Sequence, residues 1–146
     1  MDIQRIGDES EIRALLFRYA RAVDTEDWDL WRSLFTPDAR VDYSSAGGIA
    51  GTRDEVADWL KVSMSFLPMK QHYITNIEIT VSGDSAQVRA MFFNPMQLPG
   101  KTDLSYCGGY YHHQLVRAES GWLSRDLREE NQWFVNPLSA DDTPGG

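Results

Sequence analysis

Tyr19-Ala-Arg-Ala-Val-Asp24-Thr-Glu-Asp27-Trp-Asp-Leu-Trp-Arg-Ser-Leu-Phe35-Thr-Pro37-Asp-Ala-Arg-Val-Asp-Tyr43 carries the end of one helix, a second short helix and the first strand. Upstream of it, Ile12, Leu15, Leu16, Tyr19, Ala20 and Val23 follow the i, i+3, i+4 spacing of an amphipathic helix. Asp8 with Glu11 three residues on gives that helix a capping-box start. A second helix runs from Asp27 through Trp28, Trp31 and Leu34 and is stopped by Pro37, with Arg40 to Tyr43 as a short strand. After the loop Ser44 to Gly51, Thr52-Arg-Asp-Glu55 is a capping box that opens a third helix carrying Val56, Trp59, Leu60 and Phe66.

Beyond Pro68 the period changes from helical to two. Tyr73 to Val81 alternates as a strand, Ser82-Gly-Asp84 turns it, and a second strand follows around Ala86 to Phe93. Asn94-Pro95 and Pro99-Gly100 mark a loop that ends near Leu104. Tyr106 to Ala118 and Trp122 to Phe134 form a long hairpin through Glu119-Ser-Gly121. Helices first and antiparallel strands afterwards define an α+β class. A long curved sheet wrapped on the helices would bury both apolar faces and leave a concave mouth beside helix one. One domain is expected over residues 1–137, with a flexible, Gly/Pro-rich tail over 138–146.

The chain has 146 residues, 22 acidic against 14 basic, for a net charge of −8. That length suits one domain with one core. The acidic balance lacks the basic stripe that nucleic acid or an anionic membrane surface requires. No apolar run approaches the roughly 20 residues that span a bilayer, and the N-terminus has no signal-peptide core. The lone cysteine, Cys107, gives no sign of an oxidising compartment, so a cytoplasmic protein is expected. Aromatic residues make up 12% of the chain, and several sit beside ionisable groups, as in small-molecule pockets.

Asp24 closes helix one, where the macrodipole disfavours a carboxylate. It would either cap the next helix or hold a partner base at the pocket mouth. His72, at the start of the first long strand, is that partner. A carboxylate on one ring nitrogen fixes the tautomer and raises the basicity of the other, which makes a general base near neutral pH. Tyr19 and Tyr43 are either core aromatics or phenols that donate to a substrate oxygen. His112 and His113 point to opposite faces of one strand, so only one can look into a pocket, and Tyr110 shares the face of His112. Asp126 and Arg128 share a face of the last strand, and Arg125 lies opposite. An inward arginine would bind an anionic or carbonyl group. No metal-ligand spacing, nucleotide-binding glycine pattern or nucleophile elbow is present, so neither metal nor cofactor is expected.

The stretch from Tyr19 to Tyr43, with Gln71-His72 and Gly121-Trp122, resembles the SnoaL-like branch of the nuclear-transport-factor-2-like superfamily over about residues 8 to 135. Scytalone dehydratase, bile-acid dehydratase and hexachlorocyclohexane dehydrochlorinase are similar by these motifs. The resemblance implies a cone-shaped curved antiparallel sheet packed against three N-terminal helices, and an Asp–His dyad at Asp24 and His72 that removes a proton during elimination. It implies tyrosine roles at Tyr43 and Tyr19, and a leaving-group arginine at Arg128. Tyr110, His112, Trp28 and Asn94 are the expected substrate contacts. The sequence departs from scytalone dehydratase where that enzyme has a second catalytic histidine, since the stretch here is Asn94-Pro-Met-Gln-Leu98. The implied function is a cofactor-independent lyase or dehydratase, or a related isomerase or cyclase. It would act on an apolar polycyclic or aromatic small molecule bearing a carbonyl, with Arg128 or His112 assisting the leaving group. The alternative is a non-catalytic binder, or an oligomer-forming subunit like the small subunits of ring-hydroxylating dioxygenases. A homodimer or homotrimer is implied as well.

Overall fold

The computed structural model describes residues 1–139, so all but the first two residues of the expected tail lie outside the described residues. Helix α1 spans Ile3–Asp24 and begins earlier than the sequence predicts. Asp2 is its N-cap and accepts from Arg5 N at 3.1 Å. Asp8 lies inside the helix with tertiary partners. Arg117 donates to it from Nη1 and Nη2 at 2.8 and 2.9 Å, and Trp122 Nε1 donates at 3.1 Å. Glu11 Oε1 accepts from the Trp122 backbone N–H at 3.1 Å. The Asp8/Glu11 spacing that reads as a cap is therefore a pair of clamps onto the last hairpin. Ile12, Leu15, Leu16, Tyr19 and Val23 are buried along the helix, as the periodicity requires.

Helix α2 (Trp28–Ser33) is capped by Asp27, which accepts from Leu30 N at 3.0 Å. Asp24 is thus free of capping duty. The helix ends before Pro37, and the chain is already extended as β1 (Phe35–Asp42). Pro37 is tolerated there because it falls in the register irregularity between Phe35 and Arg40, where no ladder bond is demanded of it. A 3-10 turn (Ser44–Ala46) and a short β2 (Ala50–Thr52) follow, β2 lying within the stretch that read as loop. Helix α3 (Arg53–Ser65) has the expected capping box: Thr52 Oγ1 accepts from Glu55 N and Glu55 Oε2 from Thr52 N, both at 3.3 Å.

The remaining strands are β3 (Met69–Lys70), β4 (Tyr73–Ser82), β5 (Ser85–Gln97), β6 (Ser105–Ala118) and β7 (Gly121–Val135). β5 runs on through Asn94-Pro95, which reads as a loop in the sequence. Sheet order is β2-β1-β7-β6-β5-β3, with β4 also on β5, and the three helices fill the concave side. The α+β cone read from the sequence is the observed fold, with one difference. β1 lies parallel to β7, so the sheet is mixed rather than purely antiparallel. These two strands are far apart in sequence, and no hairpin turn dictates their direction. Among the described residues no helix is long and apolar enough to cross a membrane.

Two irregularities set which side chains face inward. A shift at Asn76 (φ 48°) in β4 breaks the simple alternation and keeps Ile74, Ile77, Ile79 and Val81 partly buried on the core side. A second shift between Gly108 and Gly109 aligns Asn131 with Gly109 and Trp133 with Gly108. A Cβ on Gly109 would overlap the Glu130 carbonyl oxygen, which belongs to the β7 backbone. A Cβ on Gly108 would meet the ring of Trp133, a side chain that is 42% exposed and can swing outward. Gly109→Ala is expected to destabilise the fold by about 1–3 kcal/mol or more, and Gly108→Ala by distinctly less. Chemical denaturation of the two variants side by side checks the difference.

Candidate active site

The cone encloses a cavity of about 160 Å³. Val23 and Tyr19 line it from α1, Tyr43 from the end of β1, and Trp59, Leu60 and Met64 from α3. Lys70 and His72 lie at the β3–β4 entry, Asn94 on β5, Cys107 and Tyr111 on β6, and Glu129 and Phe134 on β7. The lining is mostly apolar and aromatic with a few convergent polar groups, the usual makeup of a small-molecule site.

Asp24 and His72, 48 residues apart in sequence, meet at this wall. The Asp24 carboxylate accepts the His72 backbone N–H on both oxygens, at 3.1 and 2.9 Å, and its Oδ1 lies 2.6 Å from His72 Nδ1. Helix α1 must end there, because its last residue turns back to bind the strand entry. With Nδ1–H donated to the carboxylate, Nε2 carries the lone pair. His72 lines the cavity while Asp24 sits behind it, with side chains 14% and 22% exposed. Lys70 Nζ, beside them, is paired to Glu26 Oε2 at 3.1 Å.

Deeper in the cavity the hydroxyls of Tyr19 and Tyr43 share a short hydrogen bond, and Asn94 Nδ2 donates to the Tyr111 hydroxyl at 3.4 Å. Tyr111 stacks on Phe92 at 4.5 Å and meets Tyr19 edge-on at 5.4 Å. Burial raises the pKa of Tyr19, Tyr43 and Tyr111 well above the phenol range, so all three are neutral donors. Burial, with Glu129 nearby, pushes the Cys107 thiol up to about 12, which excludes a thiolate nucleophile at neutral pH.

Glu129 is the residue that sequence reasoning missed. It is 8% exposed, its Oε1 is buried without a hydrogen-bond partner among the described residues, and burial together with the Asp42 carboxylate pushes its pKa up to about 7. A readable signal existed. Leu127, the one apolar residue among the charges from Arg125 to Glu130, must point to the core, so alternation turns Glu129 inward with it. Leu115 likewise carries Tyr111 and His113 inward on β6.

The same phases overturn several expectations. Arg128 is on the outer face, 52% exposed at its side chain and 3.7 Å from Glu130. Arg125 is exposed too. Tyr110 and His112 also face outward. Tyr110 lies under the Arg89 guanidinium at 4.2 Å, and His112 Nε2 is 3.3 Å from Glu130 Oε1. Trp28 is buried at the start of α2 and is not among the cavity-lining side chains. Asp24, His72, Tyr19, Tyr43 and Asn94 are brought together. Arg128, Tyr110, His112 and Trp28 are not. His113 is inward but lies in the core behind Tyr19, where Nδ1 is 2.8 Å from Ser124 Oγ and burial lowers its pKa to about 3.

Three helices close the curled sheet around a mostly apolar cavity dotted with polar groups. The chain belongs to the SnoaL-like domain family, whose pattern matches residues 4–128. An uncharacterised protein of Mycobacterium tuberculosis is 35% identical over 123 residues, covering 84% of each chain. A candidate scytalone dehydratase from Novosphingobium aromaticivorans superposes with a TM-score of 0.84 at 20% identity, covering 95% of this chain and 93% of the other. The hexachlorocyclohexane dehydrochlorinase LinA-type3 from Novosphingobium barchaimii gives 0.81 at 20% identity, covering 96% of both chains. At these identities the two superpositions establish the fold.

Proposed function

We propose that the chain is a cofactor-independent lyase of the dehydratase type, or a closely related isomerase or cyclase, acting beside a carbonyl on an apolar ring. The observation that carries this reading is the 2.6 Å contact between His72 Nδ1 and Asp24 Oδ1 at the wall of an otherwise apolar cavity. His72 Nε2 takes the proton next to the carbonyl, and Asp24 stabilises the imidazolium that forms. Of the paired Tyr19 and Tyr43 hydroxyls one donates to the other, and the accepting one keeps its own proton to donate to the enolate oxygen as its charge develops, which is where stabilisation lowers the barrier. Two of the similar structures are named as a candidate scytalone dehydratase and a hexachlorocyclohexane dehydrochlorinase, and this supports the class. A cavity near 160 Å³ is on the scale of one that admits benzene (about 150 Å³), so one ring fits inside and any second ring reaches through the mouth.

Deuterium incorporation next to the carbonyl of cyclohexanone and 2-tetralone, followed by NMR in D2O, tests the reading. Wild-type protein is expected to accelerate exchange, and His72→Ala to lose about 10²–10⁴ of that acceleration. Equal exchange by both proteins would remove the base. Ring ketones that raise Tm without exchanging would favour a binding protein instead. A homodimer or homotrimer is proposed from the outer sheet face, where Tyr73, Phe93, Tyr106 and Trp133 are each more than a third exposed and in mutual ring contact at 6.0–6.1 Å.

A further inference from the structure

We propose that Glu129 is a neutral carboxylic acid that hands its proton to the departing hydroxyl of the substrate, so that elimination is pulled from one wall of the cavity while His72 pushes from another. This rests on the reading of His72 as the base and adds the acid that reading lacks, since Arg128 and His112 both face outward. Glu129 belongs to β7 and His72 to the entry of β4, and β4, β5, β6 and β7 are consecutive neighbours in the sheet. Both side chains line the same cavity, together with Asn94 of β5 and Cys107 and Tyr111 of β6 from the strands between them.

The position of Glu129 is built, not incidental. Ser45 Oγ donates to the Glu129 carbonyl at 2.7 Å and accepts the Asn131 N–H at 2.9 Å, so the turn after β1 pins β7 on both sides of it. Its Oε1 has no hydrogen-bond partner among the described residues. An ionised carboxylate held this way would be costly, whereas a protonated one has a donor ready for an occupant. The charge beside it is that of Asp42 from β1, while Tyr19 from α1, Tyr43, and Tyr111 and Cys107 from β6 surround it as neutral groups. Lys70, which lines the same cavity, is paired to Glu26 at 3.1 Å. Burial and the Asp42 carboxylate both disfavour an ionised Glu129.

The step balances without a co-reactant. Nε2 of His72 removes the proton on the carbon next to the carbonyl, and that electron pair becomes the new C=C bond. The C–O bond to the hydroxyl breaks, its electron pair takes the Glu129 proton, and water leaves. Imidazolium and carboxylate then return to their starting forms by giving a proton to solvent and taking one from it.

The test compares wild type, Glu129→Gln and His72→Ala on 3-hydroxycyclohexanone and 3-acetoxycyclohexanone, both of which yield cyclohexenone. Acetate departs without a proton and hydroxide does not. Glu129→Gln is expected to lose about 10²–10⁴ on the hydroxy compound and at least about a hundredfold less on the acetoxy compound. It should still exchange deuterium into cyclohexanone faster than His72→Ala. Infrared difference spectra with 13C-labelled glutamate should place a protonated carboxyl at pH 6 in wild type and in His72→Ala, absent from Glu129→Gln and displaced when cyclohexanone binds. Equal losses on both compounds, undiminished hydroxy elimination in Glu129→Gln, or an ionised Glu129 at pH 6 would each overturn the acid. Exchange that does not depend on His72 overturns the base instead, and the infrared result then decides Glu129 independently.

Discussion

Asp24→Asn is expected to lower cyclohexanone exchange by about 10²–10⁴ while leaving the fold intact. The carboxylate serves two donors of one residue, the backbone N–H and Nδ1 of His72. An amide cannot serve both. With its oxygen toward Nδ1, its NH2 faces the His72 N–H and the two donors repel. With its oxygen toward the backbone, its NH2 donates to Nδ1, which forces the proton onto Nε2 and leaves no lone pair toward the cavity. The first arrangement keeps the tautomer but loses the negative charge that stabilises the imidazolium, and the second removes the lone pair, both at constant size. Exchange rates give the loss, and 15N chemical shifts of the His72 ring give the tautomer. An unchanged rate would mean that the contact is structural.

Stability against pH should be flat between about pH 4.5 and 6.5, and one substitution should expose why. Glu129, whose pKa is raised by burial and Asp42 from 4.5 to about 7, favours folding at low pH and loses that contribution as pH rises through its folded value. His113, lowered by burial and by His112 from 6.5 to about 3, stabilises the fold at high pH and loses that contribution as pH falls. Between the two ordinary values the folded state keeps the proton on Glu129 and the unfolded state keeps it on histidine, so the number bound does not change. Glu129→Gln removes one side of this exchange. Its stability relative to wild type should increase by about 3 kcal/mol between pH 4 and pH 8, and its own curve should fall steadily below pH 6.5. Urea denaturation across that range checks both. A parallel offset at every pH would mean that Glu129 titrates normally.

The three helices and the four long strands were legible from strong local signals, apart from β5 running on through Asn94-Pro95. The capping box at Thr52, the apolar spacing of α1 and the change of period after Pro68 each fix an element. The Asp24–His72 pairing, by contrast, was one of two readings of Asp24 and was carried by the family resemblance. The parallel direction of β1 was not legible, since no local turn encodes it. Phase was the harder problem. Tyr110-Tyr111-His112-His113 and Arg128-Glu129-Glu130 offer chemistry on both faces, and only the apolar residues that anchor each strand, Leu115 and Leu127, say which set is buried. The Asp8/Glu11 pair misled for the opposite reason: a local motif was used for tertiary contacts.

The register shift at Gly108 and Gly109 lies beside a strand on which a guanidinium and a carboxyl are consecutive. Inserting one residue just before them would move the guanidinium into the inward place that the carboxyl now holds, so that the hollow would present a permanent cation where it now offers a proton. In a scaffold of this kind the polarity of the ligand that is welcomed can invert through the parity of a single strand, with every other wall of the chamber left as it was.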